Sequence, residues 1–289
     1  MKITVIGTGY VGLVSGACFS EFGFEVTCID KDKKKIDALN KGNPLIYEPG
    51  LESLVKKNMK TGRLKFQNSF TDNIKKSQII LIAVGTPTQR NGHANLEHVF
   101  DAAKQVAPLL SGYTVVVNKS TVPVGTAKRV FSILKKNQRN ADFDVASNPE
   151  FLREGSAIED FMRPNRVVIG VDSLKAKRIM KELYRPLFLI ETPIIFTSLQ
   201  TAELIKYASN AFLATKITFI NQIADLCEKS GADVHDVAKS MGLDKRIGDK
   251  FLHPGPGFGG SCFPKDNLEL AATARALGSP IGLIEEVIS

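Results

Sequence analysis

The sequence predicts a doubly wound α/β domain with a mostly parallel sheet, followed by a long helix and an all-helical segment. In the first 198 residues, short runs of apolar and β-branched residues alternate with amphipathic stretches. Runs that are apolar throughout are typical of parallel strands covered on both faces. From residue 199 onward, apolar residues recur at helical spacing. The pattern therefore predicts two domains, at residues 1–195 and 199–289.

Seven segments are predicted to be strands, because each is short and rich in Val, Ile, Phe or Thr. They are ITVIG (3–7), EVTCID (25–30), IILIAV (79–84), TVVVNK (114–119), FDVASN (143–148), RVVIGV (166–171) and PIIFTS (193–198). Amphipathic helices are predicted between them at 33–41, 50–61, 95–110 and 125–136.

The second domain begins with a stretch from Leu199 to about Lys229 that contains no proline or glycine. One uninterrupted helix of that length would extend about 45 Å. Shorter helices are predicted at 233–241, 266–277 and 281–289, and no strand is predicted among them.

The first strand runs into a glycine fingerprint, Gly7-x-Gly9-x-x-Gly12, which opens a predicted helix. Asp30 follows at the end of the second strand, 18 residues beyond Gly12. This order is typical of a Rossmann-like domain, in which the pyrophosphate lies at the helix N-terminus and the acid holds a ribose hydroxyl pair. An acid there disfavours a 2′-phosphate, so we expect NAD instead of NADP; the alternative is a tight turn that binds nothing.

Three further segments follow the carboxyl ends of predicted strands, where ligands lie in open α/β sheets. They are Gly85-Thr86-Pro87, Ser120-Thr121-Val122-Pro123 and the stretch 148–155, NPEFLREG. Small hydroxyl residues at this edge can bond a ribose or a water. Glu150 and Glu154 place two carboxylates at the same edge, although taken alone each is equally well explained as a helix cap.

A single cysteine lies in a glycine-rich loop, GFGGSCFPKD (257–266). Such a loop buries little apolar surface but allows close approach of the backbone to a ligand. Cys262 is therefore either a small residue in a tight turn or a nucleophile. Cys18 and Cys28 are expected to be buried and Cys227 lies on the long helix, so neither a zinc site nor a disulfide framework is indicated. On that helix, Lys206 and Asn210 are four residues apart and share a face.

Composition limits the classes of partner. The formal net charge is +8, but the basic residues are spread over predicted helices, which argues against nucleic-acid binding and is compatible with small anionic substrates. No apolar run is long enough to cross a membrane, and the N-terminus lacks the features of a signal peptide. A cytoplasmic protein is expected.

Taken together, MKITVIGTGYVGL, STVPVGT, NPEFLREG, IKYASNAF and GFGGSCFPKD, in this order and spacing, closely resemble the UDP-glucose 6-dehydrogenase family of nucleotide-sugar dehydrogenases. The segment RPNRVVIG (163–170) is similar to the UDP-glucose branch. Members of that family continue into a C-terminal α/β domain that binds UDP, so the resemblance implies that this sequence lacks that domain.

The resemblance implies a four-electron oxidation of UDP-glucose to UDP-glucuronate with two NAD, through a thiohemiacetal and a thioester on Cys262. Lys206 resembles the lysine that assists alcohol deprotonation, with Asn210 as a second donor. Asp266 and Thr121 resemble the pair that holds a catalytic water, and Glu150 the base of thioester hydrolysis. No metal is implied.

Binding residues are implied in the same way. For NAD they are Gly7, Gly9, Val11, Gly12, Asp30, Lys35, Thr86, Thr121, Glu154 and Lys265; Lys265 would also favour the thiolate if it points inward. For UDP-glucose they are Glu150, Phe151, Leu152, Arg153, Glu154, Lys206, Asn210, Arg246, Phe251, Leu252, His253, Pro254, Gly255 and Gly259.

The helical segment resembles the family's dimerisation core, with Arg246 reaching across to the sugar end, so a homodimer is expected. Two alternatives stay open. A GDP-mannose or UDP-N-acetylhexosamine 6-dehydrogenase would share most of these motifs. A non-catalytic dimeric NAD-binding fragment would lack the nucleotide-sugar domain.

Overall fold

The structure is a computed structural model that describes the backbone of residues 1–289 and all side chains except those of residues 72 and 73. In the described chain, one eight-stranded sheet has the order β3-β2-β1-β4-β5-β6-β7-β8. The strands are β1 Lys2–Ile6, β2 Glu25–Ile29, β3 Leu64–Gln67, β4 Ile79–Ile82, β5 Thr114–Asn118, β6 Phe143–Ser147, β7 Val167–Val171 and β8 Ile194–Thr197. All neighbouring pairs are parallel except β6 with β7. The predicted mostly parallel, doubly wound sheet is confirmed.

The helices alternate with the strands and then continue alone. They are α1 Tyr10–Glu21, α2 Lys33–Asn40, α3 Leu51–Lys60, α4 Glu97–Val106, α5 Thr126–Asn137, α6 Ala157–Met162, α7 Leu174–Leu183, α8 Arg185–Phe188, α9 Leu199–Ser230, α10 Val234–Leu243, α11 Phe263–Ala276 and α12 Gly282–Ile288. Two 3-10 helices lie at Asp72–Lys76 and Ala107–Leu109. The predicted long helix is confirmed as α9, with 32 residues. In the chain as described, only helices and turns follow β8.

Side chains of the central strands alternate between two apolar layers. Val115 and Val117 of β5 face one layer, which includes Phe19 of α1. Val116 of the same strand faces the other layer, which includes Val130 of α5. Because both faces are covered, each strand can be apolar along its whole length.

Contacts divide the chain into two units. The sheet unit comprises residues 1–86 and 95–204, and the helical unit comprises 87–94 and 205–289. The helical unit has its own small apolar cluster, formed by residues of α9, α11 and α12: Tyr207, Ala211, Leu270, Ala271 and Ile284.

The segment 87–94 belongs to the helical unit although it lies in the first half of the sequence. The buried carboxylate of Glu269 on α11 accepts hydrogen bonds from the backbone N–H of Ala94 and from Thr273 Oγ1, the latter at 2.6 Å, and lies 3.2 Å from His93 Nδ1. These bonds attach the segment to α11. None of the helices in the described residues combines the length and apolarity that crossing a bilayer requires.

Candidate functional site

The β1–α1 turn is tight because two of its glycines leave no room for a side chain. A Cβ on Gly7 would lie 2.5 Å from the carbonyl oxygen of Ala83, and Gly7 has a φ of +99°. A Cβ on Gly12 would lie 2.0 Å from the carbonyl oxygen of Gly7. Gly9, by contrast, has no heavy atom within 4 Å of its Cβ position. The turn is therefore closed toward the sheet and open at Gly9, which fits a pyrophosphate at the start of α1, where Val11 also lies.

Asp30 is held directly beside this turn. Its Oδ2 accepts from the backbone N–H and the hydroxyl of Thr8, both at 2.8 Å, and its Oδ1 accepts from the N–H of Asp32 at 3.0 Å. Burial raises the pKa of Asp30, but these bonds and the charge of Lys35 on α2 outweigh it, so the pKa lies below its usual value. An ionised carboxylate results, which can accept ribose hydroxyls and repels a 2′-phosphate.

Two predicted cofactor residues meet at the edge of the sheet. Thr86 follows β4, and its hydroxyl donates to the carbonyl oxygen of Thr121, which follows β5, at 3.1 Å. Between them, Ser120 Oγ donates to the carbonyl oxygen of Val84 at 2.7 Å. The two loops are thus joined by hydrogen bonds where parallel strands end.

The Thr121 loop leads into α5, whose N-terminus is capped by a residue that the sequence did not single out. Glu203 on α9 accepts from the N–H of Gly125 at 2.7 Å and of Ala127 at 2.8 Å. Burial raises the pKa of Glu203 to about 7, although both bonds and Lys128 oppose the shift. The signal in the sequence is that Glu203 precedes Lys206 by three residues and Asn210 by seven, and so shares their helix face.

The predicted substrate turn at 148–155 is also held by hydrogen bonds. The carboxylate of Glu150 is buried and accepts from the N–H of Leu152. The guanidinium of Arg153 forms a bidentate pair with Asp160 of α6, with an Nη2–Oδ1 distance of 2.6 Å. These two contacts fix the turn that also presents Phe151 and Glu154.

Two arrangements behind this turn were not predicted. Lys119, buried at the end of β5, donates from Nζ to Oδ1 of Asn148 at 3.1 Å, and Tyr184 donates to the same oxygen. The guanidinium of Arg166 stacks on Phe151, 3.8 Å from the ring centroid. Both arrangements join residues that are far apart in the sequence, so no local pattern indicates them.

In the helical unit, three predicted residues come together. Asn210 Nδ2 donates to Asp266 Oδ2 at 2.6 Å, and Lys265 Nζ pairs with Asp266 Oδ1 at 2.6 Å. Asp266 is only 1% exposed. Lys206 is buried on α9, one turn before Asn210. The ammonium of Lys265 therefore points to Asp266, and these three side chains combine an amine, an amide and a carboxylate.

Cys262 lies at the N-cap of α11, because this helix begins at Phe263 instead of near residue 266 as predicted. Of the four cysteines, Cys18, Cys28 and Cys227 are buried and Cys262 is exposed. Its sulfur lies 3.6 Å from the hydroxyl of Ser261. Peptide N–H groups at the start of a helix favour negative charge nearby, so this position suits a reacting thiol.

The remaining predicted substrate residues lie between α10 and Cys262. Phe251 has a φ of +64°, which is unusual for a bulky residue. The N–H of Gly255 donates to Asn221 Oδ1 on α9 at 2.9 Å. Arg246 is exposed and pairs with Asp244 at 2.6 Å. Leu252 is buried, Pro254 is half-buried, and His253 and Gly259 are exposed.

Among the described side chains, no group of three or more His, Cys, Asp or Glu is arranged to hold an ion.

A doubly wound sheet with this glycine turn and an ionised acid at the end of β2 defines a dinucleotide-binding protein. Family models match almost the whole chain: the NAD binding domain of the UDP-glucose/GDP-mannose dehydrogenase family matches residues 1–188, and its central domain matches residues 200–289. The chain belongs to this family, and NAD is the cofactor of its first domain.

Comparison with individual relatives supports the same family assignment. The chain is 58% identical to UDP-glucose 6-dehydrogenase of Rhizobium meliloti (strain 1021), with 100% of the chain and 67% of the relative covered. It is 57% identical to UDP-glucose 6-dehydrogenase TuaD of Bacillus subtilis (strain 168), with 99% and 62% covered. A UDP-glucose dehydrogenase structure from Pyrobaculum islandicum superposes with a TM-score of 0.95 at 40% identity, with 99% of this chain and 67% of that one covered. The chain thus spans about two thirds of the length of these proteins.

Proposed function

We propose that this chain supplies the NAD-binding and catalytic parts of a UDP-glucose 6-dehydrogenase, which oxidises the C6 alcohol of UDP-glucose to a carboxylate. The observation that carries this proposal is Cys262, an exposed thiol one helical turn from the buried Asp266. A protein that only binds NAD has no use for such a thiol next to a cluster of amine, amide and carboxylate. The non-catalytic alternative is therefore disfavoured.

The sheet unit holds the cofactor in this proposal. The open turn at Gly9 and Val11 receives the pyrophosphate, Asp30 accepts the ribose hydroxyls, and Thr86 and Glu154 line the same edge. When bound, NAD accepts the hydride that leaves C6 of the sugar. The hydrogen bonds from Asp32 and Thr8, together with the charge of Lys35, keep the pKa of Asp30 low and its carboxylate ionised.

The chain's own residues perform the rest of the chemistry. Lys206 and Asn210 stabilise the negative charge that develops on the C6 oxygen, and Asp266 orients the catalytic water. The Cys262 thiolate adds to the C6 aldehyde, and loss of a second hydride, which a second NAD would accept when bound, converts this thiohemiacetal into a thioester. Glu150 then activates water for hydrolysis, which releases the carboxylate and the free thiol.

UDP-glucose is proposed over GDP-mannose or a UDP-N-acetylhexosamine because relatives at 58% and 57% identity are named UDP-glucose 6-dehydrogenases. The sugar-binding segments are the 150–154 turn and the loop 251–259. Measurement of NADH formed with each nucleotide sugar tests this choice. We expect two NADH per UDP-glucuronate produced. NADH formation with GDP-mannose and none with UDP-glucose would favour the alternative substrate.

We further propose that two copies pack through α9. Phe212, Phe219 and Leu226 are 64%, 44% and 59% exposed and recur at intervals of seven residues. Apolar side chains at this interval form one stripe along a helix, which is the pattern of a helix–helix seam. Phe219→Glu should convert a dimer to a monomer in sedimentation experiments. Leu174→Glu, which changes an equally apolar exposed residue of the sheet unit, is the matched control; dimers of both variants would contradict the seam.

A further inference from the structure

One buried carboxylate in the sheet unit, that of Glu48, accepts hydrogen bonds from two separate segments of the chain. Its residue is only 6% exposed. Oε1 accepts from the backbone N–H of Ala157 at 2.8 Å and of Ile158 at 3.4 Å. Oε2 accepts from the N–H of Gly155 at 2.9 Å and from the hydroxyl of Tyr10. Four donors converge on one side chain that no motif in the sequence includes.

Three of these donors, the N–H groups of Gly155, Ala157 and Ile158, lie at or just before the start of α6, where backbone N–H groups have no partner within the helix. The N-cap residue, Ser156, makes no side-chain capping bond. Glu48 replaces it from another part of the chain and so holds the end of the 150–155 turn. The other side of that turn is fixed by the pair of Arg153 with Asp160.

The fourth donor connects this turn to the glycine fingerprint. Tyr10 is the first residue of α1 and stands between Gly9 and Val11. Burial, followed by the hydrogen bond to Glu48, raises the pKa of the Tyr10 phenol. The hydroxyl is therefore protonated at neutral pH and donates to the carboxylate. Gly155 N–H also reaches the Tyr10 oxygen, at 3.1 Å.

We infer that Glu48 is a positioning residue for the bound dinucleotide: through Tyr10 and Gly155 it fixes the start of α1 relative to the turn that presents Glu154. The inference rests on the proposed NAD site, because both of the joined segments are assigned to it. Without Glu48 the two segments lose their common support, and NAD must pay the cost of ordering them. A purely structural role for Glu48 would lower stability and leave NAD affinity unchanged.

Three variants separate these roles by isothermal titration with NAD, at a temperature where each is folded. Tyr10→Phe removes the link to α1 and keeps the bonds of Glu48 to α6. Glu48→Gln places an NH₂ group against N–H donors, and so weakens both the link to α1 and the bonds to α6. Tyr113→Phe is the matched control, because the Tyr113 hydroxyl also donates to a carboxylate, Asp144 Oδ2 at 2.6 Å. That pair lies at the amino ends of β5 and β6, whereas the proposed cofactor site lies at the carboxyl ends of the strands.

We expect the NAD dissociation constant to rise about fivefold in Tyr10→Phe and about tenfold in Glu48→Gln, and not to change in Tyr113→Phe. The double variant should bind about as weakly as Glu48→Gln, because Tyr10 acts through Glu48. If wild type binds NAD and Tyr10→Phe binds equally well, the inference is overturned even if Glu48→Gln fails to fold. If wild type does not bind NAD, the proposed function fails and the inference fails with it.

Discussion

The side-chain amide of Asn210 donates to the carboxylate of Asp266 across a distance of 2.6 Å, and both residues are buried in the helical unit. The bond joins α9 to α11. Because the acceptor is removed from water, the loss of this donor leaves a buried carboxylate short of one partner.

Asn210→Ala should therefore lower the free energy of unfolding by about 2 kcal/mol, in the range for a hydrogen bond to a charged group. Urea unfolding, followed by circular dichroism, measures the change. Asn221→Ala is the matched control on the same helix, because its bond to Gly255 N–H is exposed. Equal losses in the two variants would show that burial of Asp266 does not set the cost.

Thiol labelling should distinguish Cys262 from the other three cysteines. Burial raises the pKa of Cys18 and of Cys28 to about 12, so neither thiol forms a thiolate at neutral pH. Cys227 is buried on α9. We expect iodoacetamide to label one thiol per folded chain, and none in Cys262→Ser. Mass spectrometry of the labelled chain checks the site, and labelling of Cys262→Ser to the wild-type extent would contradict the exposure of Cys262.

The same substitution should affect the two oxidations unequally. The alcohol step needs a base, cofactor and orientation, whereas the aldehyde step needs a thiolate to hold the carbon that gives up the second hydride. When the C6 aldehyde of UDP-glucose is supplied as substrate, Cys262→Ser should form the acid about a hundredfold more slowly than wild type, or slower still. Cys227→Ser is the control. Acid formation by Cys262→Ser at the wild-type rate would remove Cys262 from the proposed mechanism.

Much of the sheet unit was predictable because its strands are apolar on both faces and because the tight β1–α1 turn requires glycine at Gly7 and Gly12. The strand β3, with sequence LKFQ, was missed because it is short and half polar; only Leu64 and Phe66 are buried. The helix α7 was also missed, although Ala176, Met180 and Leu183 recur on one buried face. That spacing was a usable signal.

Other features depend on contacts between distant parts of the chain, which no local pattern contains. The capping of α6 by Glu48 and of α5 by Glu203 joins residues far apart in sequence. The assignment of residues 87–94 to the helical unit is of the same kind. The positive φ of Phe251 could not be predicted either, because glycine is the residue that normally indicates such a backbone conformation. The homodimer, the cytoplasmic location and the individual site roles stay predictions.

Cofactor selection should depend on Asp30. Its carboxylate is ionised at neutral pH, so a 2′-phosphate at the ribose would meet a like charge. Wild type should bind NAD more tightly than NADP, and Asp30→Asn should reduce this preference by about tenfold, or 1.4 kcal/mol. Fluorescence titration with both cofactors gives the ratio. Asp37→Asn, an exposed change on α2, is the control; equal affinities of wild type for NAD and NADP would refute the role of Asp30.

The free energy of unfolding should decrease as the pH rises, because Glu203 titrates. Burial raises its pKa to about 7 from a usual value of 4.5. Between those values the folded chain keeps a proton that the unfolded chain has lost, so stability decreases as pH rises, and levels off above pH 7. This group should contribute a loss of about 3 kcal/mol over the window. Glu203→Gln lacks the titrating group.

The test is the unfolding free energy of wild type relative to Glu203→Gln, measured by urea denaturation from pH 4.5 to 8. We expect the unfolding free energy of wild type, relative to that of Glu203→Gln, to decrease from pH 4.5 to about pH 7 and then stay constant. Glu182→Gln is the control for removal of one exposed carboxylate. A difference that shifts in favour of wild type with rising pH would mean that the N–H groups of Gly125 and Ala127 keep the Glu203 carboxylate ionised. Glu203 would then cap α5 as an anion and stabilise the Thr121 loop most at high pH.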